Sequence, residues 1–311
     1  MFDNSPMKIF AAPLQGYTDA VFRHWHSELF GGADAYFTPF LRVEKGEPAA
    51  RTLRDINSPL NRNCVCVPQI IFGTAGEFTI LKDALVEAGH RNIDLNLGCP
   101  FPPQVHKGRG AGFLRRIEEL EKVARIIEAT PDVRFSLKIR LGVETPDEWR
   151  CIMPQLCSMR PEHITVHPRT ARQQYRGVLH MDEFAAFYEL STCPVVYNGE
   201  IRDLEDYENI VGKYPGLYGV MIGRGLLGRP SLAVEIKEGC SWSEARRNKA
   251  VLELHDRMLQ HYSATLCGEA QILSRIKAFW EYMNLPGRTG KNIAKARTMA
   301  DYTAVVADIW R

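Results

Sequence analysis

The chain has 311 residues, of which 45% are hydrophobic and 24% charged, and its formal net charge is +2. This composition is that of a globular protein and excludes a disordered or collagen-like chain. No stretch approaches the roughly 18 consecutive apolar residues of a membrane span, and residues 1–7 lack the pattern of a secretory signal. We therefore expect a cytoplasmic protein with no membrane partner.

Eight cysteines in a chain of this length are too sparse for a secreted disulfide scaffold, so reduced thiols are expected. Cys64 and Cys66 alternate with valines, and no second pair of ligands follows at zinc spacing, so we expect no metal site. Residues 241–311 contain 11 Lys or Arg and 7 Asp or Glu. This local excess of positive charge permits a nucleic-acid partner without requiring one.

Short apolar runs rich in β-branched residues alternate with amphipathic segments over the first three quarters of the chain. The runs are 9–13, 35–38, 64–72, 93–96, 135–139, 163–167, 194–198 and 218–222. Segments such as 118–130 and 203–213 are long enough for the helix that each right-handed crossover requires. Eight βα units in about 250 residues predict a (β/α)8 TIM-type barrel, here residues 1–238.

The strand pattern stops after residue 238. Residues 248–265, 269–283 and 291–309 instead predict three helices, separated by breakers around Gly268 and at 285–287. We therefore expect a small all-helical C-terminal domain over residues 239–311, which follows the catalytic barrel.

Polar and glycine residues follow the last two predicted strands. Asn198, Gly199 and Glu200 come after the seventh strand, and Gly223 and Arg224 after the eighth. In this fold the loops after strands seven and eight are the usual phosphate site, which predicts a bound mononucleotide cofactor. The alternative is that the glycines only close tight βα turns.

Lys138 lies in the fifth predicted strand and points into the barrel if Ser136, Lys138 and Arg140 share one face. A buried cation without a partner costs several kcal/mol, so its presence needs a reason. It could stabilise an anionic reduced flavin, form a Schiff base with a carbonyl substrate, or belong to a structural ion pair.

Cys99 stands in the segment Asn96–Pro100, just beyond the fourth predicted strand. An isolated cysteine is usually an inert core residue, but this position is where barrel enzymes place reactive groups. The glycine-rich segment 107–112 that follows has the composition of a loop that can close over a substrate.

Six motifs, in this order, resemble those of the tRNA-dihydrouridine synthase family, and the resemblance covers almost the whole chain. They are APLQGYTD (12–19), NLGCP (96–100), KIR (138–140), VHPRT (166–170), NGEI (198–201) and MIGRG (221–225). The segment RIK at 275–277 in the helical part matches as well. The resemblance implies an FMN-dependent enzyme that reduces the C5=C6 bond of specific uridines in tRNA, with NADPH or NADH as the electron donor.

The resemblance also implies a role for each matching residue. The flavin contacts would come from Pro13, Gln15, Gln69, Lys138, His167, Asn198, Gly199, Glu200, Gly223 and Arg224. Substrate contacts would come from Asn96, which positions the base, and from Arg140, Arg169, Arg275 and Lys277, which face the RNA. Cys99 would be the catalytic general acid that protonates C5, while the flavin delivers hydride to C6.

A thiol suits this task because its ordinary pKa of about 8.5 keeps it mostly protonated at neutral pH. The target base has to be splayed out of the folded RNA to reach the barrel. Trp280 and Tyr282 are aromatic candidates for stacking on RNA. Of the two, we expect Trp280 to be a core residue instead.

Three other functions remain open on the sequence. The first is an FMN barrel dehydrogenase that acts on a free pyrimidine or an enone. The second is a flavin-free lyase or isomerase that uses Lys138 as a Schiff base, and the third is an RNA-binding protein without catalysis. For the tRNA-modifying enzyme, a monomer is expected.

Overall fold

The computed structural model describes residues 7–310, and its centre is a single sheet of nine parallel strands. They are β1 (Lys8–Ala11), β2 (Ala35–Phe37), β5 (Cys66–Val67), β6 (Gln69–Ile70), β7 (Asn92–Leu97), β8 (Arg134–Gly142), β9 (Ile164–Thr170), β10 (Val195–Tyr197) and β11 (Gly219–Ile222). A separate antiparallel hairpin is formed by β3 (Val43–Glu44) and β4 (Glu47–Pro48).

The two ends of the strand order, β5 and β6, follow one another in the chain and together occupy the third position of a ring of strands. β5 pairs with β2 and β6 pairs with β7, and only Pro68 separates β5 from β6. Because proline has no N–H to donate, the ladder is interrupted there while the chain direction continues. β1 pairs with β11 in the same ring. Counting β5 and β6 as one position gives eight, so the predicted (β/α)8 barrel is confirmed.

Helices surround the barrel and continue beyond it. They are α1 (Ala20–Leu29), α2 (Ala50–Ile56), α3 (Ala75–Glu87), α4 (Pro102–His106), α5 (Ile117–Glu128), α6 (Trp149–Ser158), α7 (Met181–Leu190), α8 (Leu204–Lys213), α9 (Arg224–Gly228), α10 (Leu232–Glu238), α11 (Glu244–Thr265), α12 (Glu269–Ala278), α13 (Thr289–Lys295) and α14 (Met299–Ala307). Two 3-10 helices lie at Pro59–Asn63 and Gly110–Arg115. Within residues 7–310, none of these helices has the length and apolarity needed to cross a bilayer.

Apolar side chains form two layers about the barrel wall. The layer inside the barrel includes Phe10, Phe37 and Val196, and the layer between barrel and helices includes Ile164 and Val166. In the sequence, parallel strands that are covered on both faces in this way are mostly continuous apolar runs. The strand ends are therefore the places where polar side chains can be presented without breaking the core.

The last predicted helix, 291–309, is two helices in the structure. α13 ends at Lys295 and α14 begins at Met299, because the Thr298 side chain accepts a hydrogen bond from the Asp301 N–H and caps a new helix. The prediction of three C-terminal helices is thus wrong, and there are four. The helix predicted over 269–283 also ends early, at Ala278.

The early end of α12 is associated with burial of the residues that follow. Trp280 is 3% exposed and its indole Nε1 donates to the Tyr302 hydroxyl over 2.8 Å. The interpretation of Trp280 as a core residue is confirmed.

The C-terminal helices share one apolar cluster with the barrel. Leu254 of α11, Ile276 of α12 and Tyr302 of α14 belong to the same cluster as Val21 and Phe22 of α1. α10 ends at Glu238 because Gly239 adopts φ 67°, a left-handed conformation that suits glycine. The predicted boundary at residue 238 coincides with this helix end, and the division into domains stays a prediction.

Candidate active site

A cavity of about 710 Å³ lies at the carboxyl ends of the barrel strands. This is within the size range of small-molecule sites and at the face where barrel enzymes carry their chemistry. Twelve of the sixteen predicted site residues line it: Pro13, Gln15, Asn96, Cys99, Lys138, Arg140, His167, Asn198, Gly199, Glu200, Gly223 and Arg224. The structure therefore brings together, in one cavity, most of the site residues that the motifs predicted, including Cys99 and Lys138.

Lys138 lies inside the barrel, as the alternation with Ser136 and Arg140 predicted. Its Nζ donates to Asn198 Oδ1 over 2.6 Å, and Asn198 in turn donates from Nδ2 to the Met221 carbonyl. Burial and the nearby Arg140 charge lower the pKa of Lys138 to about 8, although Asp94 acts in the opposite direction. In the described chain its hydrogen-bond partner is an amide, so the ammonium retains donors for a ligand.

His167 lies beside this lysine and is neutral. Burial, together with the charges of Arg140, Lys138 and Arg169, lowers the pKa of the imidazole well below its ordinary value. His167 Nε2 is 3.5 Å from Arg169 Nη1. A neutral ring next to a cation offers hydrogen bonding without adding further positive charge.

The loops after β10 and β11 pack too closely for side chains at two glycines. A Cβ on Gly199 would lie 1.9 Å from the Tyr197 hydroxyl oxygen, and a Cβ on Gly225 would lie 2.0 Å from the Ile201 carbonyl oxygen. At Gly225 the obstacle is backbone, so a side chain there would force the chain to move, whereas at Gly199 it is the far end of the Tyr197 side chain. Close packing of backbone therefore requires glycine at position 225, which goes beyond an ordinary turn.

Glu200 lies among three arginines at these loops. Its Oε1 accepts from Arg169 Nη2 over 2.6 Å and from Arg224 Nη2 over 3.4 Å, and its Oε2 contacts Arg202. Burial opposes ionisation, but the hydrogen bond from Arg169 and the surrounding charges lower the pKa of Glu200. Among the described residues that line the cavity, Glu200 is the only carboxylate. The remaining excess of positive charge suits an anionic ligand.

Cys99 is held between the end of β7 and the glycine-rich segment. Its N–H donates to Asn96 Oδ1 over 2.8 Å, and its carbonyl accepts from the Ala111 N–H over 3.1 Å. A Cβ on Gly110, at φ 55°, would lie 2.7 Å from the Cys99 Cβ. Burial raises the pKa of the thiol, with partial opposition from the Phe101 backbone and from Arg140. The group is thus a protonated thiol at neutral pH, as a general acid requires.

The glycine-rich segment packs behind Cys99. Gly110, Ala111 and Phe113 are buried within the 3-10 helix Gly110–Arg115. A Cβ on Gly112 would lie 2.4 Å from the Val105 carbonyl oxygen. Gly110 and Gly112 thus serve close packing in this conformation, and closure of the segment over a substrate stays a prediction.

Four predicted site residues do not line the cavity: Gln69, Arg169, Arg275 and Lys277. Gln69 is buried beneath it and bonds to Asp94 and Asn96. Arg169 is 3% exposed, with its guanidinium on Glu200 and on the Gly177 carbonyl. In this conformation Arg169 positions neighbouring loops, although the sequence indicated that it faces RNA.

The remaining predicted RNA contacts are partly used within the protein. Arg140 donates to the carbonyls of Gly98, Thr170 and Gln174. Lys277 Nζ donates to the carbonyl oxygen of Ala294 over 3.3 Å, near the end of α13, and Arg275 lies 3.9 Å from Asp19. Their contact with RNA stays a prediction.

Sequence reasoning missed two aromatic residues at the cavity mouth. Tyr175 is 50% exposed, and its ring is flanked by the guanidinium carbons of Arg140 at 5.3 Å and Arg224 at 5.2 Å. Phe101 is 56% exposed and also lines the cavity. The two rings place exposed aromatic surface beside the cavity. The sequence signal was an aromatic residue directly after a reactive motif.

Comparison with known proteins identifies the family. A family model described as dihydrouridine synthase matches residues 10–300. The chain belongs to the dihydrouridine synthase family. The assignment made from the six motifs is thus confirmed for this dihydrouridine synthase homologue.

Named relatives of this family member cover most of its length. A probable tRNA-dihydrouridine synthase of Staphylococcus epidermidis is 29% identical over 286 residues, which span 87% of this chain and 82% of that protein. A tRNA-dihydrouridine(16) synthase of Pseudomonas syringae pv. tomato is 32% identical over 247 residues, 74% of each chain.

Solved structures with a similar fold include two proteins of very different sequence. Morphinone reductase superposes with a TM-score of 0.53 at 10% identity, over 77% of this chain and 87% of that one. The old yellow enzyme from Trypanosoma cruzi gives 0.52 at 10% identity, over 78% and 91%. At this identity the likeness concerns the barrel fold alone.

Proposed function

We propose that this member of the dihydrouridine synthase family uses FMN to reduce the C5=C6 bond of specific uridines in tRNA, with NADPH or NADH as the electron donor. The observation that carries the proposal is that a protonated thiol, Cys99, and a flavin-binding set centred on Lys138 line one cavity. We further propose that the enzyme is a monomer. The position of the reduced uridine follows from how tRNA docks.

The cavity residues fit FMN. Glycines at 199 and 223, together with Arg224, supply a positively charged cradle between the last two strands, suited to the phosphate. Lys138 would donate to the N1 and O2 edge of the isoalloxazine, where a reduced flavin carries negative charge. His167, being neutral, and Gln15 at the mouth would complete the contacts to the ring.

The chemistry divides between the cofactor and one side chain. When bound, reduced FMN supplies a hydride equivalent for C6 of the uracil. Cys99 Sγ–H forms the second new bond by protonating C5, and the resulting thiolate regains its proton from solvent. The raised pKa of Cys99 favours this reprotonation, and it keeps the thiol from acting as a competing nucleophile toward C6.

The mouth of the cavity suits an RNA base that has left its stack. Phe101, Tyr175 and Tyr282 present aromatic surface there, and base stacking on such rings contributes about 1–3 kcal/mol per base. Lys291, Lys295 and Arg297 of the C-terminal segment are exposed, so they remain available to phosphates. A small-molecule dehydrogenase would have no use for this basic helical segment.

Affinity for FMN is expected to fall as the pH rises through about 8. Burial lowers the pKa of Lys138 to about 8 in the cofactor-free protein, so the ammonium that favours the anionic ligand is lost above that pH. One charge-assisted hydrogen bond contributes about 1.5–3 kcal/mol, and because binding weakens at most about 10-fold per pH unit above the pKa, we expect the dissociation constant to rise roughly 5- to 10-fold between about pH 7 and pH 9. Fluorescence titration of FMN-free protein from about pH 7 to pH 9 measures it.

The control for this titration is Lys138→Arg, whose guanidinium stays charged over the same range. Its FMN affinity should be nearly independent of pH. A wild-type affinity that is constant across the range would contradict the role assigned to Lys138.

The proposed function is tested by supplying two kinds of substrate. Purified enzyme with NADPH should reduce uridine in tRNA that lacks dihydrouridine, and NADPH consumption should match dihydrouridine formed, measured by mass spectrometry of nucleosides. Free uracil and uridine should support little oxidation. Turnover on a small pyrimidine or enone without tRNA would favour the small-molecule dehydrogenase, and a colourless protein unable to take up FMN would favour a flavin-free lyase.

A further inference from the structure

The structure contains a chain of hydrogen bonds beneath the cavity that leads from a buried carboxylate to Cys99. We infer that Asp94 is a positioning residue for Cys99, acting through the side-chain amides of Gln69 and Asn96. The inference deepens the proposed function, and it rests on Cys99 as the proton donor. Asp94 itself does not line the cavity.

The contacts form one continuous path. Gln69 Nε2 donates to Asp94 Oδ2 over 2.6 Å, and Asn96 Nδ2 donates to Gln69 Oε1 over 2.7 Å. Asn96 Oδ1 then accepts from the Cys99 N–H over 2.8 Å and from the Gly98 N–H over 3.2 Å. Each link lies within normal hydrogen-bond distance.

The direction of the links is set from both ends, since the backbone N–H groups of Gly98 and Cys99 can only donate to Asn96 Oδ1 and the Asp94 carboxylate can only accept. An ionised carboxylate can only accept hydrogen bonds, whereas an amide has one donor end and one acceptor end. Asp94 therefore fixes Gln69 with its NH2 group toward Asp94 and its oxygen toward Asn96. The same logic then orients Asn96, whose oxygen is left facing the two backbone N–H groups.

Loss of the acceptor at position 94 removes this constraint. If the Gln69 amide turned over, its NH2 would face the NH2 of Asn96, and a matching turn of Asn96 would set its NH2 against the N–H groups of Gly98 and Cys99. The first arrangement sets two donors against each other, and the second removes the acceptor for the Gly98 and Cys99 N–H groups, which belong to the turn that carries the thiol. A misplacement of about 1 Å at a reacting group can cost about 100-fold in rate.

Asp94 is well supported for this role. It is completely buried, and its other oxygen, Oδ1, accepts from Ser136 Oγ over 2.6 Å. Ser136 lies on β8, directly opposite Asp94 of β7 in the strand register. The carboxylate is thus held in place by a strand that takes no part in the path to Cys99.

Two substitutions separate the acceptor role from the negative charge. Asp94→Asn removes the charge, but its carbonyl can still accept from Gln69 while its NH2 donates to Ser136 Oγ. Asp94→Ala removes both the charge and the acceptor. At saturating FMN, which offsets the effect of the lost Asp94 charge on Lys138, we expect Asp94→Ala to lower kcat by about 100-fold with little change in KM for tRNA and Asp94→Asn to keep kcat close to that of the wild type.

The rate of Cys99 alkylation by iodoacetamide provides a readout that does not need turnover. Peptide mass spectrometry should show this rate changed in Asp94→Ala and restored in Asp94→Asn. Exposed Cys151, Cys240 and Cys267 serve as internal controls, with constant rates. If Asp94→Ala fails to fold, Gln69→Met, which removes both ends of the middle amide, should change Cys99 alkylation in the same way.

Two results would overturn the inference. One is a folded Asp94→Ala protein with wild-type kcat and wild-type Cys99 alkylation, and the other is Asp94→Asn as impaired as Asp94→Ala, which would assign the effect to the charge. Failure of the proposed function is distinguishable, because a wild-type enzyme inactive on tRNA leaves the alkylation contrast intact.

Discussion

Replacement of Cys99 with alanine is expected to lower the rate of dihydrouridine formation by about 100- to 10,000-fold, the usual contribution of a positioned general acid. The thiol lines the cavity, and burial keeps it protonated at neutral pH. Nothing else should change, because its backbone supplies the contacts to Asn96 and Ala111 that hold the turn. Single-turnover reduction of tRNA by pre-reduced enzyme measures the step directly.

Cys151→Ala is the matched control, since Cys151 is exposed on α6. The control should retain full activity, and both variants should bind tRNA and FMN as the wild type does. An undiminished rate in Cys99→Ala would show that another group donates the proton. Loss of tRNA binding in that variant would instead make Cys99 structural.

Gly225→Ala is expected to abolish retention of FMN and to destabilise the fold by several kcal/mol. The new Cβ would lie 2.0 Å from the Ile201 carbonyl oxygen, which belongs to the loop after β10. Overpacking usually costs about 1–3 kcal/mol, and a clash with backbone lies at or beyond the upper end. The two loops of the proposed phosphate site would be forced apart. The ratio of flavin to protein absorbance after purification and the thermal unfolding of the cofactor-free protein measure the two effects.

Gly212→Ala provides the control within the same fold. Gly212 lies in α8, and a Cβ there would meet nothing within 4 Å. Alanine in a helix is favoured over glycine by about 0.5–1 kcal/mol, so this variant should be slightly stabilised and fully loaded. Normal flavin content in Gly225→Ala would show that the contact between the two loops is not needed for the cofactor.

The sequence was sufficient for the barrel and for most of the cavity because both follow from local rules. Strands such as β10 and β11 are covered on both faces, so their apolar runs are continuous and easily recognised. Their ends converge in any closed barrel, which allowed Cys99 and Lys138 to be assigned to one site before any coordinates. The family motifs added which residue belongs to which role.

The rest depended on contacts between segments that are distant in sequence. Arg169 is paired with Glu200, on another loop, and the sequence did not indicate that ion pair. The contact of Arg169 with RNA stays a prediction. Tyr175 is an ordinary residue in sequence, and only the fold places it between Arg140 and Arg224. Asp94 shares an inward face with Asn96 by simple alternation along β7, so the sequence indicated that the two lie together. The hydrogen bond from Gln69 to Asp94 joins two strands and had no signal in the sequence.

The apolar cluster common to α1 and the C-terminal helices has a consequence for how a target nucleotide is chosen. Because α1 and the C-terminal helices share this cluster, the C-terminal helices pack directly against α1 of the barrel. Under the proposed function, an RNA bound to those helices would present a stretch of its backbone at a set distance from the thiol. That distance along the RNA would then select the target nucleotide.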